Sequence, residues 1–149
     1  METTNLMSYA EQAIDYGVMG SLILMSIVTL WLFIERMMFY KTVRVEDYNH
    51  RDELELDLTD NINIISAIGA NAPYIGLLGT VLGIMLTFYT LGDVGAVDAK
   101  KIMTGLALAL KATAMGLIVA IPAIVAYTIA LRKVEKILTK FDVFTEKQG

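Results

Sequence analysis

The chain has no cysteine and a single histidine, His50, in its 149 residues. Without thiols there can be no disulfide framework, thiolate metal site or cysteine nucleophile, and a lone imidazole cannot assemble a multi-histidine zinc site. Multi-histidine zinc hydrolases and cysteine-based triads are therefore excluded, and the sequence gives no reason to expect a catalytic residue, a metal or a cofactor. Charge is scarce too, at 19% of residues, and proline occurs only at Pro73 and Pro122. What fills the space is apolar: 56% of residues are hydrophobic, a composition for lipid rather than water.

The net charge of −4 is unevenly spread. Acids crowd the stretch 46–60 (Glu46, Asp47, Asp52, Glu53, Glu55, Asp57, Asp60), and basic residues gather from Arg132 to Lys140. Neither makes a basic footprint for nucleic acid, so no nucleic-acid partner is expected.

Three runs are long and apolar enough to cross about 30 Å of hydrocarbon. The first spans residues 17–34 and stops at Glu35-Arg36; the tail before it has no Lys or Arg, unlike a cleavable signal. The second covers 72–91 and opens with Pro73, read as a first-turn proline that costs no backbone hydrogen bond. The third runs over 102–131 and is longer than the hydrocarbon requires. Between them lie a loop at 35–71 and a link at 92–101. Apolar residues at helical spacing after the third run (Val134, Ile137, Leu138, Phe141) predict an extension over 132–149, and INIISAI (62–68) leads helically into the second run.

Orientation follows from Lys and Arg, which are retained on the cytoplasmic side. The N-terminal tail has none, the loop four, the link two and the C-terminal tail five. The count predicts a multi-pass protein with its N-terminus outside and its C-terminus in the cytoplasm, in contact with membrane lipid; Lys100-Lys101 runs against it.

On a helical projection Gly76, Thr80, Gly83 and Thr87 share one face of the second run, with Gly79 beside them; Ala109, Thr113, Gly116 and Ala120 share a face of the third. Small residues let helices approach closely in lipid, whereas threonine hydroxyls can also line a polar path. Spacing alone leaves both readings open: packing at Gly76, Gly79, Gly83, Ala109, Gly116 and Ala120, and a pore lined by Thr80, Thr113 and Thr87. GLLGTVLG lacks the Lys-Ser/Thr of a phosphate loop. Lys111 lies opposite the Thr113 stripe; inside lipid an ammonium pairs, snorkels or sits at a boundary, and neither of the first two runs carries an acid to pair with it.

Two segments, NAPYIGLLGTVLGIMLTF (71–88) and ALKATAMGLIVAIPAIVAY (109–127), resemble the signature stretches of the ExbB/TolQ family of proton-channel subunits, more distantly MotA, and FIERMMF resembles that family's exit from the first span. The resemblance implies an all-α bacterial inner-membrane protein with three transmembrane helices per subunit and a periplasmic N-terminus. It further implies a homopentamer around single-span ExbD- or TolR-like partners, working with a TonB-like protein in proton-driven outer-membrane import. Alternatives are a TolQ-like subunit of the Tol-Pal system and a non-conducting scaffold. By the same resemblance Thr80 and Thr113 face the pore. Two departures stand out: Leu108 occupies a position where many relatives carry glutamate, and the 35–71 loop is short.

Overall fold

The computed structural model describes residues 1–94 and 98–149, all helical apart from short turns. Helix α1 spans Glu2–Thr42, a 3-10 turn follows at Val45–Asp47, then α2 at Arg51–Thr59, α3 at Ile62–Val94 and α4 at Ala99–Gln148. α1, α3 and α4 are each long and apolar enough to cross a membrane. The expected link at 92–101 lies partly outside the described residues; what is described shows α3 reaching Val94 and α4 opening at Ala99, with the Asp98 carboxylate accepting from the Lys100 amide at 3.1 Å.

Pro73 is not a first-turn proline. α3 starts at Ile62, because the INIISAI pattern runs unbroken into the apolar stretch, so Pro73 sits in the helix interior and deprives the Gly69 carbonyl of its amide partner. Pro122 is likewise interior to α4. The acidic stretch forms the 3-10 turn and α2; Asn61 then takes φ 65, a left-handed conformation that asparagine tolerates, and turns the chain back into α3.

The chain packs in two cores. In the first, Val18 and Leu22 of α1 meet Ile68 and Ala72 of α3 and Ala112, Val119, Ala120 and Ala123 of α4. A Cβ built on Gly79 would stand 3.0 Å from Val18 and 2.8 Å from the Ala112 methyl, so the three helices converge there. The second core, beyond the apolar stretches, joins Tyr40, Leu54, Leu58 and Ile62 to Val134, Ile137, Leu138 and Phe141 of α4. Outside these cores the helices present large apolar residues such as Ile23, Trp31, Met85 and Ile121, as expected of a surface that meets lipid.

α2 is tied down at both ends. Arg36, 4% exposed, donates to the Asp57 carbonyl at 2.7 Å and Tyr40 donates to the Leu58 carbonyl at 2.7 Å, satisfying acceptors at the C-terminus of α2. Arg36 also pairs with Glu35 at 2.6 Å and lies 4.6 Å over the Phe39 ring. At the other end Arg51 reaches Asp142 of α4 at 3.2 Å.

Candidate functional site

The seam between α3 and α4 is lined by the small residues singled out in the sequence. A Cβ on Gly76 would fall 2.6 Å from the Ala112 carbonyl, and one on Gly116 would fall 2.8 Å from the Ala72 carbonyl. These are backbone contacts that cannot swing aside, so glycine sets the spacing of the two helices. At Gly83 the added atom meets the Ala109 methyl at 3.0 Å, a softer limit. Ala109 and Ala120 are buried in the same seam.

That close approach brings Thr80 and Thr113 together. Thr80 is buried, and its hydroxyl stands 2.8 Å from the Ala109 carbonyl, 3.2 Å from the Gly76 carbonyl and in hydrogen-bond contact with the Thr113 hydroxyl. A hydroxyl has one proton to give. Thr80 donates to the nearer carbonyl, of Ala109, and Thr113 donates to Thr80, leaving Thr113, which is half-buried, as the outer member of the pair. Any further polar group or water approaching from outside would meet Thr113 first.

Thr87 lies two turns along α3 and bonds its own helix, donating to the Gly83 carbonyl at 2.8 Å. It does not join the Thr80–Thr113 pair. It lines a groove of about 720 Å³ between α1, α3 and α4, walled also by Val18, Gly79, Gly83, Ala109 and Leu108. Glu11 and Asp15 of α1 and Lys100 and Lys101 of α4 stand among the polar lining residues. Leu108, where the resemblance placed a glutamate in relatives, is 53% exposed on this groove.

Lys111 is exposed, on a different face of α4 from the buried Ala109, Ala112 and Gly116, and it forms no ion pair among the described residues.

Three residues were missed by the sequence reading. Gly105 accommodates Thr87, whose Cβ would stand 3.1 Å from an added side-chain atom; its register opposite Thr87 needed the helix pairing to be known. Thr29, on α1, is 8% exposed, and its hydroxyl has no hydrogen-bond partner among the described residues. Nothing in a run of apolar neighbours distinguishes it. In the sequence Arg36 stands out only as a topological charge, although its adjacency to Glu35 is visible there.

Beyond the apolar stretches, side-chain environments shift several ionisations. The Arg36 hydrogen bond holds the Glu35 carboxyl below its ordinary range and Glu35 in turn raises Arg36. Burial pushes the Tyr40 phenol up to about 12. Tyr48 is also raised to about 12, because it donates to the Asp57 carboxylate at 2.7 Å.

No group of three or more potential metal-binding His, Asp or Glu residues forms among the described residues. The arrangement is therefore a small-residue helix seam enclosing paired hydroxyls.

Residues 31–143 match the MotA/TolQ/ExbB proton channel family. The chain is 54% identical over 134 residues to a putative biopolymer transport protein ExbB-like 2 of Helicobacter pylori, covering 90% of this chain and 89% of that protein. It is 52% identical over 134 residues to the biopolymer transport protein ExbB of Aquifex aeolicus, covering 89% and 90%. To the Tol-Pal system protein TolQ of Pseudomonas aeruginosa it is 34% identical over 107 residues, 72% of this chain but 45% of that protein.

Proposed function

This chain belongs to the MotA/TolQ/ExbB proton channel family, and from that premise we propose that it is the channel subunit of an inner-membrane motor that uses the proton motive force to drive import across the outer membrane. In this reading α1, α3 and α4 span the membrane with the N-terminus periplasmic, and the second core with α2 and the end of α4 lies in the cytoplasm. Copies of the chain assemble in a ring, a pentamer by family resemblance, around the single helix of an ExbD-like protein. A TonB-like protein takes up the work. The ExbB role is favoured over the TolQ one because the ExbB proteins of Aquifex aeolicus and Helicobacter pylori match at 52% and 50% identity over nearly their whole length, whereas the TolQ match is 34% identical.

The observation that carries the reading is the Thr80–Thr113 pair, in which Thr80 both donates and accepts within the seam and Thr113 is left half-buried. A hydroxyl so held can orient water beside a proton-carrying group, which a methyl cannot. That carrier must come from outside the chain, because there is no Asp or Glu between Ile62 and Gly92 or between Ala99 and Val134. A partner carboxyl group beside Thr113 meets the need: protonated, it can donate to the Thr113 oxygen, and ionised, it can accept from a water that donates its other proton to Thr113. Each proton moving down the potential releases about 2.3 kcal/mol per 100 mV.

The test is proton flux through the chain reconstituted with its ExbD-like partner. Replacing Thr80 and Thr113 together by valine keeps shape and removes both hydroxyls; the expected result is an intact complex with reduced flux and reduced nutrient uptake. An intact double variant that conducts and transports at the wild-type rate would reduce the threonines to packing residues.

A further inference from the structure

The polar end of the bundle, around the second core, is electrically two-sided. α2 buries Leu54 and Leu58 and turns Asp52, Glu53 and Leu56 away from the core; at 100° per residue these three lie within about 100° of arc, and Asp60, which follows the helix, is exposed too. Leu56 is 72% exposed at the centre of that acidic face, and Asp52, Glu53 and Asp60 form no ion pair among the described residues. Elsewhere on the same end, a cavity of about 350 Å³ opens between the end of α1, the 3-10 turn and α4. Its lining is mainly polar: Val43 and Val45 and the edge of the largely buried Ile137 give it apolar patches, and Lys41, Arg44 and Lys140 surround them with positive charge. Glu46 is the one acid there; it pairs with Arg44 at 3.3 Å, both side chains being more than half exposed, so the pair exchanges partners at little cost.

The two surfaces share a level along the bundle. Arg51, at the start of α2, bonds Asp142, and the carbonyl of Leu58, near its end, bonds Tyr40. Leu56 therefore lies between the levels of Tyr40 and Asp142, which is where Tyr40, Ile137 and Lys140 line the cavity. Copies inserted the same way in one membrane are related by rotation about the membrane normal, an operation that preserves level and joins two different surfaces head to tail.

We propose that Leu56 of one copy seats in this cavity of the next, with Asp52, Glu53 and Asp60 facing Lys41, Arg44 and Lys140. The inference deepens the ring assembly read above and rests on it. Acids flanking a leucine are complementary in charge to the cations of the recess, and the leucine side chain meets the valines on its wall. The ring reading supplies the partner, since each copy carries both halves.

Because the chain lacks cysteine, cross-linking of the full-length protein in native membranes reads the contact directly. Leu56→Cys combined with Val45→Cys should give, on oxidation, a ladder extending past the dimer, and a mixture of the two single variants should stop at dimers. Leu56→Cys alone should give none; dimers from it would mean a two-fold contact and overturn the proposal. A second arm removes dependence on cysteine packing: Glu53→Lys should lower the fraction assembled in mild detergent, and adding Lys140→Glu should restore it. If the double-cysteine protein keeps the native mass of an oligomer without cross-linking, this contact is wrong and the ring survives. If the wild type is monomeric by native mass, the ring reading itself fails. If Arg44→Glu with Lys140→Glu strips co-purifying anionic phospholipid but leaves assembly unchanged, the cavity is a headgroup site and the proposal falls.

Discussion

Arg36 and Asp57 are joined by a single hydrogen bond, guanidinium to main-chain carbonyl at 2.7 Å, that fastens the end of a long apolar helix to the last turn of a short polar one. The same guanidinium is held by Glu35 and covered by Phe39. Removing it leaves a carbonyl and a carboxylate without their donor. Arg36→Ala is expected to destabilise the fold by roughly 1.5–3 kcal/mol, the range for hydrogen bonds to a charged group, read as a drop in thermal midpoint in detergent. Arg36→Lys should recover only part, since an ammonium cannot serve the forked pair and the carbonyl at once.

Acid should loosen the same junction. Glu35 is depressed in the folded state by Arg36, so its contribution is complete above the ordinary glutamate range, near pH 4.5, and is lost as pH falls through the lowered value. Thermal midpoints measured from pH 7 downward should fall more steeply for wild type than for Glu35→Gln.

At the alkaline end the sign reverses. Tyr40 and Tyr48 are raised to about 12, so what they contribute is complete below pH 10 and lost as pH rises towards and through about 12. Tyr48→Phe should flatten the decline above pH 10 by removing a phenol that would ionise beside the Asp57 carboxylate. Ultraviolet difference spectra following phenolate formation check the assignment.

Glycine substitutions should rank by what a methyl would strike. Gly76→Ala and Gly116→Ala press on backbone and should cost about 1–3 kcal/mol through overpacking. Gly83→Ala meets the Ala109 methyl at 3.0 Å with the Ala109 backbone no nearer than 3.4 Å and should be milder, and Gly17→Ala and Gly20→Ala, with open space around them, should be neutral or slightly stabilising. Thermal midpoints of the five variants in one detergent give the order.

Thr29→Val should be neutral or stabilising, because it replaces a buried hydroxyl without a partner among the described residues by a methyl of the same shape. A clear loss of stability would mean that the hydroxyl is serving a group outside the chain.

Much of this architecture could be read from residue patterns. The three apolar runs became three long helices, and Val134, Ile137, Leu138 and Phe141 continued the last of them as a packed stripe, because burial on one face enforces helical spacing with or without lipid. Pro73 misled because proline rules describe isolated helices: tertiary packing against α1 and α4 outweighs one lost bond, so the helix passes straight through. The threonine pair was legible as two faces but not as a contact. Which glycine of α3 opposes which residue of α4 depends on register, fixed by backbone approaches such as Gly76 to Ala112, and a one-residue-wide pattern of small side chains leaves that register open. The role of Arg36 was hidden for a related reason: its acceptor is a main-chain carbonyl, an atom that every residue possesses and no side chain announces.

α4 is continuous from Ala99 to Gln148, about 75 Å at 1.5 Å per residue, with Pro122 close to its middle. A rod of that length is a lever. The arm from Pro122 to Gln148 is about 39 Å, so a 5° tilt at the proline sweeps its tip through roughly 3 Å, a side chain's width. Because α2 is bonded to that arm through Arg51 and Asp142 and to α1 through Tyr40 and the Leu58 carbonyl, a swing of the arm against α1 would reach α2 as shear between its two ends.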